Sequence, residues 1–281
     1  MKLLILCVDG FDYDYAQEGG FDRLPYSAKL EIPRECYVPT PEGPTPHTVR
    51  VWPSMCSGNA IDYGLVVRTG LRKLAHDALV RLGATWKGAP RYRLSPSNEK
   101  METVFTNRDA FLWNIPTISP EWITTFPSFD QFMAYCKQEF KQFAVLADGL
   151  LANSEWDVAA IYTRILDAYG HNYPDKIDKF YERFAFMAEK AADIQQNNGD
   201  HVMMLSDHGC LDGIHTDHAY LGATFPFEAK NIVDVREVIE KQLGLMNAKE
   251  WDEIDKEQQV IIDPADQKVI EDRLRRLGYI E

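Results

Sequence analysis

The chain is poor in cysteine, in positive charge and in long apolar runs. Its five cysteines (Cys7, Cys36, Cys56, Cys136 and Cys210) are odd in number, and no two lie close together. That argues against a disulfide framework and against a CxxC zinc site, and leaves reduced, mostly buried thiols as the expectation. Lys and Arg number 30 against 43 Asp and Glu, a formal net charge of −13. Such a balance repels polyphosphate backbones at long range, so no duplex nucleic acid is expected as a partner. A small anionic substrate is still admissible, because a buried pair of metal ions reverses the field locally. The first apolar run, Leu3 to Val8, stops at Asp9. It is too short for a signal peptide or a membrane span, and no later run is long enough either. A cytoplasmic location without membrane association is the expectation. There is no internal repeat and no low-complexity tract.

What is present is ordinary globular composition, 45% hydrophobic and 26% charged over 281 residues. That is ample for one large core. Lys2 to Val8 is continuously apolar, as in a strand buried on both faces of a parallel sheet. Pro39 to Pro46 holds four prolines and reads as a loop, and His47 to Gly58 can start a helix. Leu71 to Leu82 has helical spacing closed by Gly83. Residues 84–109 are polar and read as a surface excursion. Ala110 to Trp113 is a short strand, followed by turn-rich sequence. Phe129 to Asn153 and Asp175 to Gln196 are long amphipathic helices. Trp156 to Leu166 and His201 to Leu205 are buried strands, and a last helix lies between Pro264 and Ile280. The alternation predicts a single α/β domain over 1–281, a three-layer αβα sandwich with a mostly parallel central sheet.

In such a sheet ligands bind beyond the carboxyl ends of the strands. Three strand ends here deliver acidic or imidazole groups. Asp9 follows the first strand. Asp167 and His171 follow another, in DAYGH. Asp207 and His208 follow a third, in LSDHGCLDGIHTDHAY, which also holds His215 and His218. Mixed carboxylate and imidazole donors suit zinc, manganese or iron, whereas magnesium and calcium prefer oxygen alone. Three Asp and three His are about enough for two ions with open positions, the arrangement that clamps both oxygens of an in-line displacement.

Five stretches, in this order, resemble the alkaline phosphatase superfamily, and within it the type I phosphodiesterase and nucleotide pyrophosphatase branch. They are VDGFD (Val8 to Asp12), HTVRVWPSMCSG (His47 to Gly58), LDAYGHNYP (Leu166 to Pro174), LSDHG (Leu205 to Gly209) and GIHTDHAYLG (Gly213 to Gly222). The tail RLRRLGYI is similar to the ending of many members. The resemblance implies an alkaline-phosphatase-like fold and a hydroxyl nucleophile ahead of a Ser/Thr-Gly pair, here Thr48 ahead of Ser57-Gly58. It implies one divalent ion on Asp167, His171 and His215, with His218 the alternative last ligand. A second ion falls to Asp9, Asp207, His208 and the Thr48 oxygen. Zinc is the leading ion and manganese the next. The activity implied is hydrolysis of a phosphodiester or phosphoanhydride, such as a nucleotide, through a phosphoryl-threonine intermediate.

Departures from the pattern shape the rest. Many relatives have proline two residues after the nucleophile; this chain has Arg50, a candidate phosphate clamp. Asp62-Tyr63-Gly64 replaces the usual Asn-His-Gly, leaving Asn59 and Asn114 as candidate phosphate-binding amides. The aromatics between Trp113 and Trp122 are candidate base-stacking groups or plain packing. Phosphomonoester or phosphonate hydrolysis is the alternative chemistry, and an inactive binding relative the alternative class. Substrate identity and oligomeric state are open at this stage.

Overall fold

The computed structural model describes residues 2–40, 43–62, 65–67, 92–94, 101–119, 126, 128–152 and 156–244. The chain divides into two compact units, Met1–Lys241 and Gln242–Glu281, and every element named here belongs to the first. The helices expected over 71–82 and 264–280 lie outside the described residues. So does much of the 84–109 excursion.

Strand β1 (Leu3–Val8) is fully buried along its length and forms the centre of a six-stranded sheet. It pairs in parallel with β8 (Val158–Thr163) on one side and with β9 (His201–Ser206) on the other. β7 (Ala110–Trp113) extends the parallel side beyond β8. Beyond β9 the pairing turns antiparallel, through β12 (His218–Ala223) to the edge strand β2 (Tyr26–Glu31). The sheet is therefore mixed and mostly parallel.

Both faces of the sheet are covered at its centre, so β1 and β8 are buried along their whole length and β9 along nearly all of it, with apolar runs rather than alternation. Leu4, Leu6, Val8, Ala159, Ile161, Val202 and Met204 form one core with Phe143 and Phe184. Those aromatics come from helices α3 (Phe129–Ala152) and α5 (Asp178–Asn198). Tyr162 faces the other way, edge-on to Trp52 of helix α2 (Thr48–Ser57), with ring centroids 5.6 Å apart. The fold is thus the expected three-layer α/β sandwich. Helix α1 (Tyr13–Gly19) starts at the N-cap Asp12, whose side chain accepts from Tyr15 N, and α4 (Ile165–Asn172) follows β8 directly.

Two expectations fail locally. The strand expected over Trp156 to Leu166 is shorter, ending at Thr163, so that Asp167 lies in the first turn of α4 rather than just past a strand. In the stretch expected as a loop, Pro39–Thr40 and Gly43–Pro46 belong to a ribbon of two strands, β3 (Tyr37–Thr40) and β4 (Gly43–Pro46). Proline is tolerated there because a two-stranded ribbon has two free edges, where a missing N–H breaks no ladder bond. A second small ribbon joins β5 (Leu65–Val67) to β6 (Tyr92–Leu94).

A buried carboxylate ties the carboxyl ends of β7 and β8 to α3. Glu139 accepts from Arg164 N at 2.7 Å, from Arg164 Nε at 3.2 Å and from Asn114 Nδ2 at 2.5 Å. Removing one partner of a buried pair leaves the other charge desolvated. Glu139→Leu is expected to lower the free energy of unfolding by about 3–5 kcal/mol, read from urea denaturation. An unchanged midpoint would show that Arg164 does not depend on this carboxylate.

Candidate active site

The carboxyl ends of the three central strands are stitched together by the backbone. Asp9 N donates to Thr163 O at 3.0 Å, Asp167 N to Asp9 O at 3.1 Å and Cys210 N to Gly10 O at 3.2 Å. Gly10 makes this approach possible. Its φ is +84°, and a Cβ there would lie 2.7 Å from the Asp167 Cα. The result places the side chains of Asp9, Asp167 and Asp207 in one pocket.

His171 lies one helical turn after Asp167 on the same face of α4. His215 arrives from a tight hairpin between β10 (Cys210–Leu211) and β11 (Ile214–His215). The two imidazoles meet Nε2 to Nε2 at 2.8 Å, and each Nε2 stands 3.3 Å from Asp167 Oδ1. His208 stacks on His215 with centroids 3.8 Å apart, and its Nε2 is 3.3 Å from Asp207 Oδ2 and 3.5 Å from Asp9 Oδ1. Backbone acceptors set two of the rings. His215 Nδ1 donates to Pro46 O at 3.1 Å, and His208 Nδ1 donates to Gly209 O at 3.2 Å. In the neutral ring this leaves Nε2, on the carboxylate side, as the atom able to bind a cation.

Thr48 is the first residue of α2, and His47 is the N-cap. Its Oγ1 lies 3.3 Å from His208 Nε2 and 3.5 Å from Asp9 Oδ2. The helix N-terminus offers less than its usual set of donors, because His47 has taken two of them, the amides of Val49 and Arg50, besides the ordinary first-turn bond from Val51. Val49 N donates to His47 Nδ1, while Arg50 N and Val51 N donate to His47 O.

The charges in this pocket are mutually frustrated. Burial pushes Asp9 up to about 7, with the Asp167 charge adding to it. Burial and Asp9 push Asp207 well above the carboxylate range. Burial would raise Asp167 too, but the His171 and His215 imidazoles hold it well below the usual value. Asp167 in turn holds His171 up at about 9, against its own desolvation. Burial and the neighbouring His215 depress His208 well below an ordinary imidazole. Among the described residues, Asp9 Oδ1, Asp167 Oδ1 and both Asp207 oxygens are buried without a hydrogen-bond partner.

Two groups of side chains here present donor atoms all within 4.8 Å of one another, the spacing that can hold a metal ion. One is Asp167, His171, Cys210 and His215; the other is Asp9, Asp167 and His208. His218 stands apart from both. Its Nε2 pairs with Asp12 Oδ2 at 3.1 Å, so His215 is the histidine that faces the cluster.

The seven residues Asp9, Thr48, Asp167, His171, Asp207, His208 and His215 therefore converge, while the expected substrate-binding set does not. Asn59 is exposed at the far end of α2, with its Nδ2 on Ser57 O. Ten residues of helix put it about 15 Å from Thr48. Asn114 is buried on Glu139, facing the core. Arg50 gives its Nη1 to Glu35 O and Tyr37 O, anchoring the chain that leads into β3, while its Nε is buried without a hydrogen-bond partner. Trp113 packs against the core under α3, and Trp122 lies outside the described residues. Two neighbours were not foreseen. Tyr162 donates its hydroxyl to Asp9 Oδ2. Cys210, three residues after Asp207, sits beside Asp167, and burial with that carboxylate pushes its thiol up.

No protein-family model matches the chain, and no curated protein does. Solved structures do. Murine ectonucleotide pyrophosphatase/phosphodiesterase 5 is 13% identical over 74% of this chain, with a TM-score of 0.40. This chain spans 57% of that protein. The PH0037 protein of Pyrococcus horikoshii is 14% identical, covering 86% of this chain and 96% of its own, with a TM-score of 0.44. Alkaline phosphatase from the Antarctic bacterium TAB5 is 11% identical over 86% of this chain and 97% of its own, with a TM-score of 0.46.

The backbone crossing at Gly10 tolerates no side chain. Gly10→Ala is expected to cost about 1–3 kcal/mol from the positive φ alone, with the contact to Asp167 adding to it. Thermal unfolding measures this, and a variant as stable as the parent would show that the crossing can relax.

Proposed function

We propose that the chain is a hydrolase of phosphoric esters that works with two divalent cations and uses Thr48 as its nucleophile. The observation that carries the reading is the position of Thr48 Oγ1, 3.3 Å from His208 Nε2 and 3.5 Å from Asp9 Oδ2, at the edge of a pocket of buried carboxylates. The donor set fits dications. Buried carboxylate oxygens without hydrogen-bond partners are costly unless a positive charge meets them. Asp167, His171 and His215 would hold one ion; Asp9, Asp207, His208 and Thr48 would hold the other. Nitrogen and oxygen donors together favour zinc, then manganese, over magnesium.

When bound, such ions supply the positive charge that stabilises an ionised hydroxyl and the oxygens of a phosphoryl group. The residues do the rest. The Thr48 hydroxyl gives up its proton to solvent, its oxygen attacks phosphorus in line, the P–O bond to the leaving group breaks, and the alcohol or phosphate departs, taking a proton from water where it needs one. Water then cleaves the phosphoryl-threonine bond and restores the hydroxyl. His47 fixes Thr48 at the helix start through the three amides it accepts, and Tyr162 fixes Asp9. Arg50 holds the chain that leads from β2 into the nucleophile.

The substrate class follows from the resemblance to the phosphodiesterase branch: a small diester or a nucleotide anhydride. The test is turnover of bis-p-nitrophenyl phosphate against p-nitrophenyl phosphate with zinc or manganese. Thr48→Ala is expected to lower kcat by about 10³-fold or more with circular dichroism unchanged. Wild-type rates in that variant would end the assignment of the nucleophile. Faster hydrolysis of the monoester would move the reading to phosphomonoesterase chemistry.

Metal uptake has a proton signature. Asp9, raised to about 7, and His171, raised to about 9, both hold protons at neutral pH that a cation must displace. The metal-free state binds more protons than the loaded one, so affinity rises with pH from neutrality upward. Titration calorimetry at pH 7 in buffers of differing ionisation heat is expected to show more than one proton released per chain. Uptake without proton release would contradict this electrostatic picture.

A further inference from the structure

Cys210 belongs to the same pocket, and we infer that its Sγ is a fourth protein ligand of the cation held by Asp167, His171 and His215, making that site selective for thiophilic ions. This rests on the two-cation reading and extends it to a residue that reading does not use. Three observations bear on it. The Cys210 sulfur, one Asp167 oxygen and one nitrogen each of His171 and His215 all lie within 4.8 Å of one another. The helix that carries two of these donors makes room for the thiol. A Cβ at Gly170, between Asp167 and His171, would lie 2.8 Å from Cys210 Sγ and 2.6 Å from Cys210 O. Finally, the thiol is fixed rather than incidental. Cys210 N donates to Gly10 O at the crossing of the strand ends, and Cys210 pairs with His215 across the β10–β11 hairpin.

The four donors come from two short segments, Asp167 to His171 and Cys210 to His215. Each segment is braced by backbone, so the set is preorganised. Zinc, cobalt and cadmium accept sulfur, nitrogen and oxygen together, whereas manganese and magnesium gain little from sulfur. A donor set of two imidazoles, one carboxylate and one thiolate separates these ions more sharply than two imidazoles and a carboxylate. The other cation site, built from Asp9, Asp207, His208 and Thr48, has no sulfur. The two sites are therefore unequal, one for a soft ion and one tolerant of harder ions.

Cobalt reports the ligand directly, without reference to turnover. The apo full-length protein is titrated with Co²⁺ under anaerobic conditions, alongside Cys210→Ser and Cys210→Ala. The expected result is visible d–d absorption for all three proteins, and an intense near-ultraviolet thiolate-to-cobalt band in the parent only. The preference for zinc over manganese, read by competition, is expected to fall roughly tenfold in both variants. The remaining cysteines (Cys7, Cys36, Cys56 and Cys136) are internal controls, being retained in both variants. Cobalt uptake without the near-ultraviolet band in the parent overturns the ligand and leaves the two-cation reading standing. A band that survives in Cys210→Ser overturns it as well. No cobalt uptake by any of the three proteins overturns both.

Discussion

Three carboxylates share one pocket, Asp9 and Asp207 buried and Asp167 partly exposed, and most of the molecule's other features follow from holding them there. Asp9 and Asp207 are driven toward their neutral forms by burial, while Asp167 keeps its charge through His171 and His215. Like charges in a low-dielectric site oppose folding. The fold opposes this with buried apolar area on both faces of the sheet and with a lattice of main-chain hydrogen bonds that needs no side chain to hold its place. A site that costs stability in this way is where catalytic groups tend to be found.

The architecture explains why the cost is concentrated at one edge. β1, β8 and β9 run in parallel, so their carboxyl ends finish side by side; Asp9 and Asp207 directly follow β1 and β9, and Asp167 comes from the first turn of α4, which follows β8. β12 runs the other way, and its first residues therefore start at that same edge. β2 ends there too, pairing through Glu31 with His218, and the chain then passes through the proline ribbon to deliver Thr48. Five separate stretches converge because the sheet order places every one of their junctions on one side.

Much of this was legible in the sequence, for identifiable reasons. Continuous apolar runs gave away the buried strands, because a strand covered on both faces needs no polar alternate. The acidic and imidazole residues just past those runs marked the site, since parallel topology forces such positions together. What was not legible depends on side-chain direction. Asn59 and Asn114 carry suitable amides, but one caps the far end of α2 and the other is held by Glu139, and no spacing rule reveals either. Tyr162 is one more apolar-looking residue in a buried strand until the Trp52 face is known. Prolines at 39 and 44 suppressed a ribbon whose free edges tolerate them.

The stitching of Asp9, Asp167 and Cys210 at the strand ends has a consequence for how the molecule comes into being. The participating residues span from Asp9 to His215, and no shorter fragment holds the whole set. Closing loops of that length carries a large entropic cost before any contact rewards it. A nascent chain emerging from the ribosome therefore has no pocket until β9, the fourth of its parallel strands, and the hairpin after it have been made. Ligand capture can consolidate this molecule but cannot nucleate it.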